Sequence, residues 1–78
     1  MSMAHDTYLT AADGTVIQYG PRREDHDGEM LACDPLDKGA VWSVYVMPKD
    51  TIGFTWVADC DNLMIAGLLA NALKDYHS

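Results

Sequence analysis

The chain lacks most of the features that announce a function outright. It carries only five Lys and Arg against twelve Asp and Glu, a formal net charge of −7 in 78 residues. Too few cations are present to neutralise phosphate, which disfavours direct binding to nucleic acid or to an anionic membrane. No apolar run approaches the roughly 18 residues needed to cross a bilayer; the stretch 63–70 is far too short. The N-terminal Met1-Ser2-Met3-Ala4-His5-Asp6 has neither a basic n-region nor an apolar h-region, so no secretory leader is expected and the cytoplasm is the default location. Cys33 and Cys60 are then expected to be reduced, half-buried side chains, although a bridge between them is geometrically open. Repeats, linkers and low-complexity tracts are missing too. The chain reads as a single domain over 1–78, with residues 1–5 expected to be unstructured.

Catalytic signatures are equally scarce. Gly14, Gly20 and Gly28 are isolated turn glycines and make no phosphate loop, and Ser2, Ser43 and Ser78 have no nucleophile elbow around them. His5, His26, Cys33, Cys60 and His77 are scattered, with no close pair to fix two zinc ligands on one element. The acidic stretch beginning at Asp25 places Asp27 and Glu29 at calcium-loop spacing. It then puts Met30 where the glycine belongs and Leu36 where the closing glutamate belongs. Asp59 and Asp61 flank Cys60, but at a strand-to-helix junction an aspartate is more simply a cap. Acids beside a thiol also raise its pKa, the wrong direction for a nucleophile. No catalytic residue, no metal and no cofactor is expected.

The best-defined element present is the stretch 61–76. Apolar residues at Ile65, Leu68, Leu69, Ala72, Leu73 and Tyr76 form one wide helical stripe. Asp61 or Asp59 is the expected N-cap, and Lys74 and His77 suit the negative end of the dipole. Gly67, Ala66 and Ala70 form a second, small-residue face, read as incidental rather than as a packing surface. A helix of this length is marginal alone in water and needs a support.

Strands supply one. Asp13-Gly14 between 6–11 and 15–19 is a hairpin signal, and Gly20-Pro21 is expected to end the second strand. Residues 22–29 lack any apolar side chain and read as a solvated loop. A short strand over 29–33, a strong one over 40–47 and a last one over 53–58 follow. Short connections force antiparallel neighbours. The expected fold is α+β: a small antiparallel sheet of four to five strands with one C-terminal helix packed on one face.

Along the 40–47 strand, Trp42, Val44 and Val46 point one way while Val41, Tyr45 and Met47 point the other. One helix covers one face, so the uncovered face is expected to expose apolar side chains, unless the N-terminal hairpin or the 20–29 loop folds over it. Homodimerisation through that face, in a small structural or assembly protein, is one reading. The other rests on charge. Glu24, Asp25, Asp27, Glu29, Asp34 and Asp37 place six acids in fourteen residues. Such an edge can stand in for phosphates opposite a basic surface on a partner protein; the alternative is a solvated loop.

In its length, its acidity, its lack of motifs and its 24–37 cluster, the chain resembles the small phage-encoded inhibitors known as anti-CRISPR proteins. The resemblance is one of kind and matches no motif residue by residue. It implies a non-catalytic inhibitor, monomeric or homodimeric, in the host-cell cytoplasm. The partner it implies is a protein with a basic nucleic-acid channel, such as a type I CRISPR surveillance complex.

Overall fold

The computed structural model describes residues 5–77. Its elements run β1 (Thr7–Thr10), β2 (Val16–Glu24), β3 (Met30–Ala32), β4 (Val41–Met47), β5 (Thr55–Cys60) and α1 (Leu63–Tyr76). Every strand pairing is antiparallel. With the single helix across one face of the sheet, the fold is the expected α+β arrangement. Residues 1–4 of the segment expected to be unstructured fall outside the described residues. His5 sits in a turn, its Nε2 4.0 Å from the Asp34 carboxylate.

β2 is the hub of the sheet. β4 pairs along one of its edges, β1 and β3 share the other end to end, and β5 lies beyond β4. The β1–β2 turn forms at Asp13-Gly14 as expected. Gly14 takes φ 96°, and the Asp13 carboxylate accepts from the Thr15 amide at 2.8 Å.

Gly20-Pro21 does not end β2, which runs on through Arg22 and Arg23 to Glu24. Only the tip of the 22–29 segment is a turn. Pro21 is tolerated because its carbonyl faces the β1/β3 edge, where it accepts from the Cys33 amide at 3.2 Å. The missing N–H lies on that same edge, in the gap where β1 has stopped and β3 has not begun, and so removes no bond to β4. The last strand is likewise displaced from 53–58 to Thr55–Cys60.

Trp42, Val44 and Val46 face the helix, as the alternation requires, alongside Leu9, Ile17 and Tyr19. The helix meets them by an unexpected face. Ala66 and Ala70 are fully buried, Leu69 and Leu73 pack partly beside them, and a methyl on Gly67 would lie 3.8 Å from the Tyr19 hydroxyl. The small-residue face is therefore the packing face. Of the expected stripe, Ile65, Leu68, Ala72 and Tyr76 point to solvent. The reason is volume: the sheet already fills the interlayer space with Tyr19, Trp42 and Ile17, so the helix fits closely only through alanine. The cap is also corrected. Asn62 is the N-cap, its Oδ1 accepting from the Ile65 amide at 2.9 Å, while Asp59 belongs to β5.

Candidate protein-interaction surface

The acids predicted to bind a partner lie together in sequence and along one hairpin. Glu24 ends β2 opposite Met30, and Asp25, Asp27 and Glu29 form the tip. Asp34 and Asp37 follow in the loop after β3. Asp25 is half-buried and acts as the turn's lock: one carboxylate oxygen accepts from the amides of Asp27 and Glu29 at 2.8 and 2.9 Å. Asp34 does the same for the Leu36 amide at 2.8 Å. These are side-chain-stabilised turns, the usual occupation of aspartate in such loops. They fix where the carboxylates of Glu24, Asp27 and Glu29 are displayed; all three are exposed, with His26 Nε2 3.5 Å from the Asp27 carboxylate.

Charge is unevenly divided. Residues 23–39 set six acids against Arg23 and Lys38, whereas the remaining 61 residues set six against Arg22, Lys49 and Lys74. Arg23 reaches Asp37 at 3.8 Å, and both side chains are about half exposed, so the pair is weak. Outside this region Asp13 is committed to the hairpin turn and Asp6 is buried.

The uncovered face of the sheet does expose large aromatic side chains, but its centre is polar. Arg22 and Asp6 meet there in a fork, with Nη1–Oδ1 and Nη2–Oδ2 both at 2.8 Å and side chains only 6 and 1 % exposed. Gln18 donates to the same carboxylate at 2.6 Å and to the Tyr8 hydroxyl at 3.1 Å. Hydrogen bonding to Asp6 holds the Arg22 guanidinium above its ordinary pKa, outweighing the opposing effect of burial. The guanidinium carbon also stands 5.4 Å over the Tyr45 ring. Nearby, Asp59 accepts from the Ser43 hydroxyl at 2.6 Å and the Trp56 indole N–H at 2.9 Å. Around this polar centre lie three exposed aromatics, Tyr8, Phe54 and Trp56.

Sequence reasoning missed the Asp6–Arg22–Gln18 network. It assigned Arg22 to a loop and left Asp6 at the edge of a segment expected to be unstructured. The available signal was Gln18, Gly20 and Arg22 at alternate positions, which share one face once the strand is allowed through Pro21. Asp59 and Cys60 do not converge on one site. Cys60 is buried in the core below the sheet, whereas Asp59 bonds to Ser43 on the opposite face. Burial first, and then Asp59 and Asp61, push the Cys60 thiol up; burial and Asp37 do the same for Cys33. Both cysteines are free.

Compared with protein-family models, with curated proteins and with solved structures, the chain finds no match. Among the described residues, no group of three or more His, Cys, Asp or Glu is placed to hold a metal ion. No helix among them is long and apolar enough to cross a membrane.

Proposed function

We propose that this protein is a non-enzymatic inhibitor that binds another protein and occupies its basic nucleic-acid-binding surface. The contact residues in this reading are Glu24, Asp25, Asp27, Glu29, Asp34 and Asp37. The observation that carries it is the concentration of exposed carboxylates on one hairpin and its adjoining loop, held in fixed turns and set against two local cations. Ordering such a loop in advance reduces the entropy lost on binding. Carboxylates along it face outward much as backbone phosphates do, so a groove lined with Lys and Arg is the complementary partner. The resemblance to anti-CRISPR proteins names one such partner, a type I CRISPR surveillance complex in the bacterial cytoplasm.

The test is binding to a purified type I complex at low and high salt. Wild-type affinity should fall steeply as salt rises. The triple variant Glu24→Lys, Asp27→Lys, Glu29→Lys should lose binding at every salt concentration. Asp25 is spared because it holds the turn. Equal affinity of variant and wild type at low salt refutes the reading.

The exposed Tyr8, Phe54 and Trp56 favour a second reading, in which two copies pair through the uncovered sheet face. It requires a dimer that Trp56→Asp dissociates and that salt leaves intact. A Trp56→Asp protein with unchanged mass in solution rules it out.

A further inference from the structure

The apolar surface of α1 is wider than the one face that a sheet can cover. One face of α1 is covered by the sheet through Ala66, Leu69, Ala70 and Leu73. Away from the sheet Met64, Leu68, Ala72 and Tyr76 follow one another at intervals of four residues in a ridge that winds from the outer side to the flank of the helix, with Ile65 beside them; all five are exposed, as are Asn71 and Asp75 next to the ridge. The four large ones are between 43 and 82 % exposed. Residues four apart form a continuous ridge on a helix, and this ridge contains no charge. The helix packs on β1, β2, β4 and β5 but not on β3, so the acidic β2–β3 hairpin stands away from the ridge.

We infer that α1 is a homodimerisation element: its outward ridge pairs, antiparallel, with the same ridge on a second copy of this chain. Three observations select a second copy as the occupant. The first is area. With about 200 Å² for a large side chain, the exposed fractions of Met64, Ile65, Leu68 and Tyr76 come to roughly 500 Å² per copy. Complete burial of both ridges would remove about 1,000 Å², the least that a specific protein–protein interface is expected to bury.

The second is self-complementarity. A two-fold axis at the level of Ala70 sets Leu68 of one copy against Ala72 of the other, large against small. It also sets Met64 against Tyr76, a sulfur–aromatic contact. Ridges of this kind interlock at a helix crossing of about 50°. An isologous contact closes at two copies and leaves nothing further to polymerise. The third is charge. Antiparallel pairing keeps the two Asp75 side chains at opposite ends of the contact, and the acidic hairpins lie off it. A chain of net charge −7 can therefore associate with itself without bringing like charges face to face.

This inference is independent of the acidic-edge reading, which concerns another part of the surface. Sedimentation equilibrium of the full chain at low and high salt is the experiment. A dimer whose dissociation constant changes little with salt is expected. Leu68→Asp should raise that constant by on the order of 30-fold or more, with an unchanged circular dichroism spectrum because residue 68 faces solvent. Met64→Asp should act in the same direction, whereas Trp56→Asp on the sheet should have no effect. Leu68→Lys and Ala72→Glu should each be monomeric alone and should form a heterodimer when mixed, because the axis places 68 against 72. A monomeric wild type at the highest soluble concentration overturns the proposal. So does a dimer that Leu68→Asp and Met64→Asp leave intact.

Discussion

Replacing Gly20 by alanine is the change that this structure predicts to be most harmful for its size. Gly20 has no unusual backbone angle; glycine is required by what lies above it. A Cβ at position 20 would overlap the nearer Asp6 carboxylate oxygen, so the carboxylate must leave. It leaves behind an Arg22 guanidinium that is almost fully buried and has lost both forked hydrogen bonds. Removing one partner of a buried ion pair costs about 3–5 kcal/mol, mostly because the other charge remains in a poorly solvated site. A domain of this length has a total stability of only about 4–12 kcal/mol. Against this loss, alanine in place of glycine offers no more than about 0.5–1 kcal/mol of backbone entropy. The assay is urea denaturation, read as a fall in midpoint at constant slope. A double-mutant cycle makes it decisive. With Asp6 already replaced by alanine the obstruction is gone, and Gly20→Ala should then be neutral or stabilising by about 0.5 kcal/mol. If Gly20→Ala costs the same in both backgrounds, the steric explanation is wrong.

At Gly67 the opposite sign is expected. A methyl there meets only the Tyr19 hydroxyl at an ordinary 3.8 Å, so Gly67→Ala should stabilise by up to about 1 kcal/mol, measured by the same titration. Asn62→Ala removes the oxygen that accepts from the Ile65 amide and should cost about 1 kcal/mol and lower the thermal midpoint by a few degrees. Asp13 is held below its ordinary pKa of 3.8 chiefly by the Thr15 backbone amide, with further help from the Thr15 side chain and His77. A depressed carboxylate stabilises the fold above its unfolded pKa and stops doing so as pH falls through its folded pKa. Stability should therefore drop below about pH 4, and Asp13→Asn should flatten that part of the profile; an unchanged acid limb would exclude Asp13 as a contributor.

The layering of this fold was legible because it depends on periodicity and connection length. Alternation in 41–47 put Trp42, Val44 and Val46 on one face, and the turn at Asp13-Gly14 with the other short connections left antiparallel pairing as the only geometry. What was hidden depended on shape rather than pattern. Helical periodicity ranks residues by hydrophobicity, so it selected the leucines and passed over Ala66 and Ala70. Those two are in fact the residues small enough to approach a sheet already filled by Tyr19 and Trp42. Pro21 misled for a related reason. Its missing donor matters only if a neighbouring strand needs it, and the gap between β1 and β3 is a fact of topology. The acidic residues were visible as a cluster, but that Asp25 and Asp34 hold turns, while Glu24, Asp27 and Glu29 point outward, depends on how the backbone closes each turn.

A helix seated on alanines buries little apolar area, and among the described residues the buried apolar core is mostly small: Ala11, Ile17, Val44, Cys60, Ala66 and Ala70. A chain of this length is near the limit for folding on a single core. Met64, Ile65, Leu68 and Tyr76, which a different seating would have placed inside, contribute little to that core while they face water. Burial against a second copy lets the same side chains stabilise the assembly, with strength set by protein concentration rather than by salt. Binding of the acidic hairpin to the proposed basic partner would obey the opposite rule, because attraction between exposed charges is screened within about a Debye length. The two surfaces therefore separate experimentally. Since pairing through α1 leaves both hairpins uncovered, a dimer presents two acidic ends, and linkage of two contacts strengthens binding to any partner that offers two basic sites in reach.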